Sequence, residues 1–114
     1  MKKLNTLLVL ALFHVCSYAQ GASSMMANLI NEGKVSELSG NYSGAEDAYL
    51  SALSIDSNAA EVHVLLGKLY HTTNKYNLAL KELDKALNIN AENPDAFFTR
   101  GNIYLDMGNN HLAI

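Results

Sequence analysis

Three histidines in the body of the chain, His63, His71 and His111, are the residues that could carry metal or general-base chemistry. Their spacing argues against both. Helical metal-binding histidines sit three or four residues apart so that their rings share one face. His63 and His71 are eight apart, more than two turns, or roughly 12 Å along a helix axis. Read within a packed helix, His63 is a space-filling side chain. His71, at the end of a helix, is placed to meet exposed C-terminal carbonyls. The acidic pairs Glu46-Asp47, Glu82 with Asp84, and Glu92 with Asp95 could serve as acid and base, but each falls on an expected solvent face or in a turn. There is no nucleophile elbow, phosphate loop or paired-cysteine zinc motif. The residues therefore predict a non-enzyme with no catalytic residue, metal site or cofactor.

The elements that position these residues begin after a leader. Met1-Lys2-Lys3 is basic, and Leu4 to Val15 is apolar except for Asn5, Thr6 and His14. The run is short for a bilayer core of roughly 30 Å, so no stable membrane span is expected in this chain. Ser17 and Ala19 stand at the −3 and −1 places of a signal-peptidase site, which predicts a signal peptide over 1–19 with cleavage before Gln20. A lipoprotein signal is disfavoured because bulky Val15 directly precedes Cys16. Cleavage removes Cys16, the only cysteine, and with it disulfide and thiol chemistry. The expected destination is the periplasm, the cell surface or the exterior, and the short Lys-Lys leader is of a bacterial style.

Without Lys2 and Lys3, six basic residues face eleven acidic ones. A mildly acidic chain with no basic patch is a poor ligand for phosphate backbones. Nucleic acid is not an expected partner.

The chain repeats itself. Gly33, Gly67 and Gly101 lie 34 residues apart, as do Ala45, Ala79 and Ala113, Tyr42 and Tyr76, and Tyr70 and Tyr104. Val62, Leu65, Leu66, Leu69 and Tyr70 fall on one helical face, and Leu80, Leu83 and Leu87 repeat this in a second helix. Breaks are expected at Gly40-Asn41, Thr73-Asn74 and Gly108-Asn109 within hairpins, and at Asp56 to Asn58 and Asn90 to Asn93 between repeats. Asn58 with Glu61 reads as a capping box, and Pro94 suits a first helical position.

In Leu66-Gly67, Tyr70, Tyr76, Ala79, Leu83 and Ala86 the sequence resembles the tetratricopeptide repeat. The register gives repeats at 26–59, 60–93 and 94–114, the first weak in its first helix at Glu32 and Ser36 and the third truncated. The resemblance implies an all-α fold, a right-handed superhelical stack of antiparallel helix hairpins with about two and a half repeats. It implies a concave groove lined by the first helices, where a protein or peptide partner binds. Carried over by register, the groove residues are Ala27, Ile30, Lys34, Glu37 and Leu38; Glu61, Val64, Lys68, His71 and Thr72; and Asp95, Phe98, Asn102, Leu105 and Asp106. Chaperone adaptors of this family grip a C-terminal carboxylate with cationic and amide side chains; Ile30, Leu65, Asp95 and Thr99 stand at four of those places, so that clamp is absent. Ile30, Val64, Phe98 and Leu105 suit a partner helix or extended segment with apolar anchors. A non-enzymatic scaffold is the expected function, with the sensing region of a longer membrane receptor as the alternative. The incomplete third repeat allows self-association through that end.

Overall fold

The computed structural model describes the backbone of residues 2–112 and the side chains of residues 19–109. The described residues form five helices and no strand: α1 (Lys2–Leu38), α2 (Tyr42–Ile55), α3 (Ala60–Thr72), α4 (Tyr76–Ile89) and α5 (Pro94–Leu112). The pairs α1–α2 and α3–α4 make the closest packing, α3 links to α2 and α5, and α4 covers one side of α5. This is the expected all-α stack of helical hairpins. The leader expectation falls almost wholly on residues whose side chains lie outside the described range. Its backbone runs continuously into α1, so cleavage before Gln20 would leave Gln20 to Leu38 as the first helix.

Turn chemistry recurs with the repeat. Gly40 and Asn74 both adopt positive φ, at 79° and 62°. At each, the next residue donates back across the helix end, Asn41 to the Ser36 carbonyl and Lys75 to the Tyr70 carbonyl, both at 2.8 Å. These left-handed closures satisfy carbonyls the helix leaves orphaned, and only glycine or asparagine enters that conformation at low cost. Between repeats, Asp56 accepts from the Asn58 amide at 2.9 Å and Asn90 from the Glu92 amide at 3.2 Å. Asn93 caps α5 by accepting from the Ala96 amide at 3.1 Å, with Pro94 at the first helical position as expected.

Two expectations about helix ends fail. Asn58 does not cap α3, whose N-cap is Ala59 with no side-chain bond. The Asn58 amide is drawn instead into the turn that Asp56 closes, which leaves its side chain outside the helix start. The break at Gly108-Asn109 is also absent, because α5 runs on to Leu112. Helix propagation through Gly108 is cheap, because each residue added to an existing helix gains a hydrogen bond without a new nucleation step.

The core is built from the same ladders. Ala45 and Ala79, Tyr49 and Leu83, Ala52 and Ala86, Val62 and Ala96, and Leu69 and Ile103 are five pairs one repeat apart, and all are buried. In each closed hairpin a glycine faces the large member: a Cβ on Gly33 would overlap the Tyr49 ring, and one on Gly67 would lie 2.8 Å from Leu83 Cγ. The missing side chain is what lets the paired helices close.

Candidate interaction groove

The first helix of each pair contributes to one face, and the charges on that face are spent on each other. Lys34 of α1 reaches Glu61 of α3 at 3.6 Å, and Lys68 of α3 reaches Asp95 of α5 at 2.7 Å. The two pairs are the same contact one repeat apart. His71 of α3 bonds Asp106 of α5 at 2.5 Å through Nε2, and its ring lies 6.0 Å from that of Tyr76. His71 therefore bridges to α5 rather than to its own helix carbonyls, because a carboxylate within reach is the stronger acceptor.

Two clefts lie along this face. One, of about 360 Å³, is lined by Lys34, Glu37, Leu38, Tyr42, Tyr49, Leu65 and Thr72. The other, of about 550 Å³, is lined by Lys34, Ala60, Glu61, Val64, Leu65, Lys68, Asn90, Asn93 and Asp95. Of the residues expected from register, Lys34, Glu37, Leu38, Glu61, Val64, Lys68, Thr72 and Asp95 line the clefts, whereas Ala27, Ile30, His71, Phe98, Asn102, Leu105 and Asp106 do not. Phe98 and Leu105 stand beyond them on α5, 70% and 66% exposed, and Leu38 is likewise exposed. Ile30 packs partly against the core. Val64 is corrected as an anchor: at 3% exposure it belongs to the core, because α3 sits between neighbours on both sides. Leu65, which lines both clefts, takes its place; the sequence put it on the apolar helical face and at one of the clamp places, but not among the apolar anchors.

The solvent-face reading fails for two carboxylates. His63 is buried, with Nδ1 2.7 Å from Glu82 Oε2 and Nε2 2.8 Å from the Ser57 carbonyl. Glu82 is also bonded by Lys85 at 3.1 Å. Tyr70 donates to Glu46 at 2.9 Å, and Tyr49 donates to Glu37 at 2.6 Å. These acids border the apolar seams, where a phenol or imidazole from the facing helix needs an acceptor. Among the described residues no three His, Cys, Asp or Glu side chains gather where they could hold a metal ion. No helix among them is long and apolar enough to cross a membrane.

Burial, then the bond to Glu46, pushes the Tyr70 phenol up to about 12, and burial with Glu37 moves Tyr49 further in the same direction. Both remain neutral donors in the folded chain after a free tyrosine near pH 10 has ionised. The unfolded state then releases its protons first, so their stabilisation is fully present below pH 10 and is lost as pH rises through about 12. Urea midpoints measured from pH 8 to 12 are expected to hold level and then fall beyond pH 10. A Tyr49→Phe/Tyr70→Phe variant flattens that limb.

Comparison with known proteins agrees with the geometry. Residues 70–108, from the end of α3 through α4 into α5, match the model described as TPR repeat. No curated protein matches the sequence. Among solved structures, the second TPR of Spaghetti (RPAP3) bound to HSP90 peptide SRMEEVD is similar, with a TM-score of 0.72 and 22% identity over 81% of this chain and 85% of that one. The chain thus has the fold of a tetratricopeptide-repeat array, and residues 70–108 carry the sequence of the repeat itself.

Proposed function

We propose that the chain is an exported, non-enzymatic interaction module that seats an apolar-anchored helix or extended segment of another protein along α1, α3 and α5. The observation that carries this reading is the pairing of both groove lysines with Glu61 and Asp95, beside exposed Leu38, Phe98 and Leu105. A ligand carboxylate approaching either lysine would meet Glu61 or Asp95 beside it, and like charges placed together oppose binding, so apolar anchors are the more favourable contacts. Export is supported by the leader sequence, with Ser17 and Ala19 flanking Tyr18, and points to the periplasm or cell surface. Self-association through α5 is part of the same reading.

The similar TPR structure holds a peptide with two glutamates and a final aspartate. Here two lysines on the groove face four carboxylates, Glu37, Glu61, Asp95 and Asp106. SRMEEVD is therefore expected not to bind, as measured by fluorescence polarisation. Selection from a random peptide library on the purified protein tests the positive side. Recovered sequences should carry spaced apolar residues and lose binding to Phe98→Asp/Leu105→Asp. Enrichment of peptides ending in acidic residues would sink the idea. For export, the N-terminus of protein recovered from the cell envelope should be Gln20; an intact Met1 would contradict it.

A further inference from the structure

The smaller groove cleft, of about 360 Å³, lies where α1, α2 and α3 meet, and all three of its walls belong to the described residues. Leu38 of α1, Tyr42 of α2 and Leu65 of α3 give it an apolar lining. Glu37 gives it a charge that nothing in the chain neutralises. Its Oε1 accepts from the Tyr49 phenol at 2.6 Å, and that donor is neutral. The other three groove acids each meet a basic side chain: Glu61 pairs with Lys34, Asp95 with Lys68, and Asp106 with His71. Among the described residues no such side chain comes within ion-pair distance of Glu37. Lys34 borders the cleft, but its ammonium is drawn to Glu61, which lines the neighbouring cleft and not this one. Thr72 donates its hydroxyl to the Lys68 carbonyl of its own helix at 3.0 Å.

We propose that this cleft takes a lysine or arginine side chain of the partner segment, with its cationic head on Glu37 and its methylene stem along Leu38, Tyr42 and Leu65. The assignment rests on the reading of the groove as the seat of a protein segment, and it adds the chemistry of one residue of that segment. Charge complementarity selects the occupant. An apolar side chain laid over Glu37 would take an uncompensated charge out of water, whereas a cation brings the missing counter-charge with it. Lysine and arginine join a cation to a flexible apolar stem, which suits an acid set beside apolar walls. The larger cleft has no equivalent vacancy for charge, because its two lysines and two acids are paired with one another. The basic residue therefore stands toward α1 and α2, and the apolar anchors stand toward Phe98 and Leu105 of α5.

Peptides selected on the purified protein from a random library are the probe. They should share a lysine or arginine at a fixed distance from their apolar residues. Replacing that residue by norleucine keeps a stem and removes the charge, and should weaken binding by at least about tenfold in fluorescence polarisation. Glu37→Gln should weaken the original peptide as much and the norleucine peptide no further, since each change removes the same contact. The glutamine carbonyl still accepts from Tyr49, so the helical circular dichroism is retained. Asp47→Asn, at an acid outside both clefts, should leave affinity unchanged. Selected peptides without a basic residue, or Glu37→Gln binding them as wild type does, overturn the proposal; if those peptides still lose binding to Phe98→Asp/Leu105→Asp, the groove reading stands without it. Recovery of no binding peptide overturns both.

Discussion

Tyr49→Ala is expected to lower the stability of the folded chain by about 3–5 kcal/mol, the range for emptying a large buried aromatic site. Tyr49 is wholly excluded from solvent, its ring fills the space left by Gly33, and its hydroxyl donates to Glu37 at 2.6 Å. Truncation leaves a cavity that Gly33 cannot fill and an acid without its donor. In an array where each unit contacts only its neighbours, the damage concentrates locally. Hydrogen exchange should show α1 and α2 losing protection while α3 to α5 keep most of theirs. Uniform loss across all five helices would mean the stack behaves as one cooperative unit.

Glu82→Ala is the second large effect, with an expected loss of about 2–3 kcal/mol in urea unfolding. Glu82 is the acceptor for buried His63, whose other nitrogen is already engaged by the Ser57 carbonyl. Removing the carboxylate strands a ring nitrogen away from water. The lost Lys85 contact contributes little, because that ammonium is half-exposed. Asp84→Ala, two residues on, should cost under about 0.5 kcal/mol, since its pair with Arg100 is at the surface. The double variant His63→Leu/Glu82→Ala should recover most of the loss. It installs the combination the first hairpin uses at the equivalent places, Leu29 and Ala48. A double variant as unstable as Glu82→Ala alone would mean that the joint between Ser57 and α3 needs the imidazole itself.

How much of this was legible in the sequence depends on the range of the interaction. The hairpins, the turns at Gly40 and Asn74 and the buried ladders from Ala45 to Ala86 follow from periodicity and local backbone preference, both readable along one chain. The failures at the site involve partners from elsewhere. Glu82 looked solvated because helical phase places it at the flank of the apolar stripe, and only α3 reveals the histidine it serves. His71 finds Asp106 thirty-five positions on, a separation no local pattern reports. The groove ion pairs did leave a trace: Lys34 and Lys68 form one ladder at the repeat spacing, and Glu61 and Asp95 form another of opposite sign. Two matched ladders of opposite charge mark neighbouring helices. Val64 was misjudged because register gives direction but not what lies above; the flanking helices cover it. Gly108 carries the turn signal of Gly40, yet α5 continues through it to Leu112, because extending an existing helix costs little.

The groove itself is tested most directly by a photo-cross-linking side chain placed in living cells at exposed positions on different faces. Leu38 and Leu105 belong to the groove helices α1 and α5, whereas Leu50 and Leu78 are exposed on the second helices α2 and α4. Covalent adducts to a partner protein from Leu38 and Leu105, with none from Leu50 or Leu78, are the predicted result. Adducts confined to Leu50 and Leu78, or equal from all four, would contradict binding in the groove.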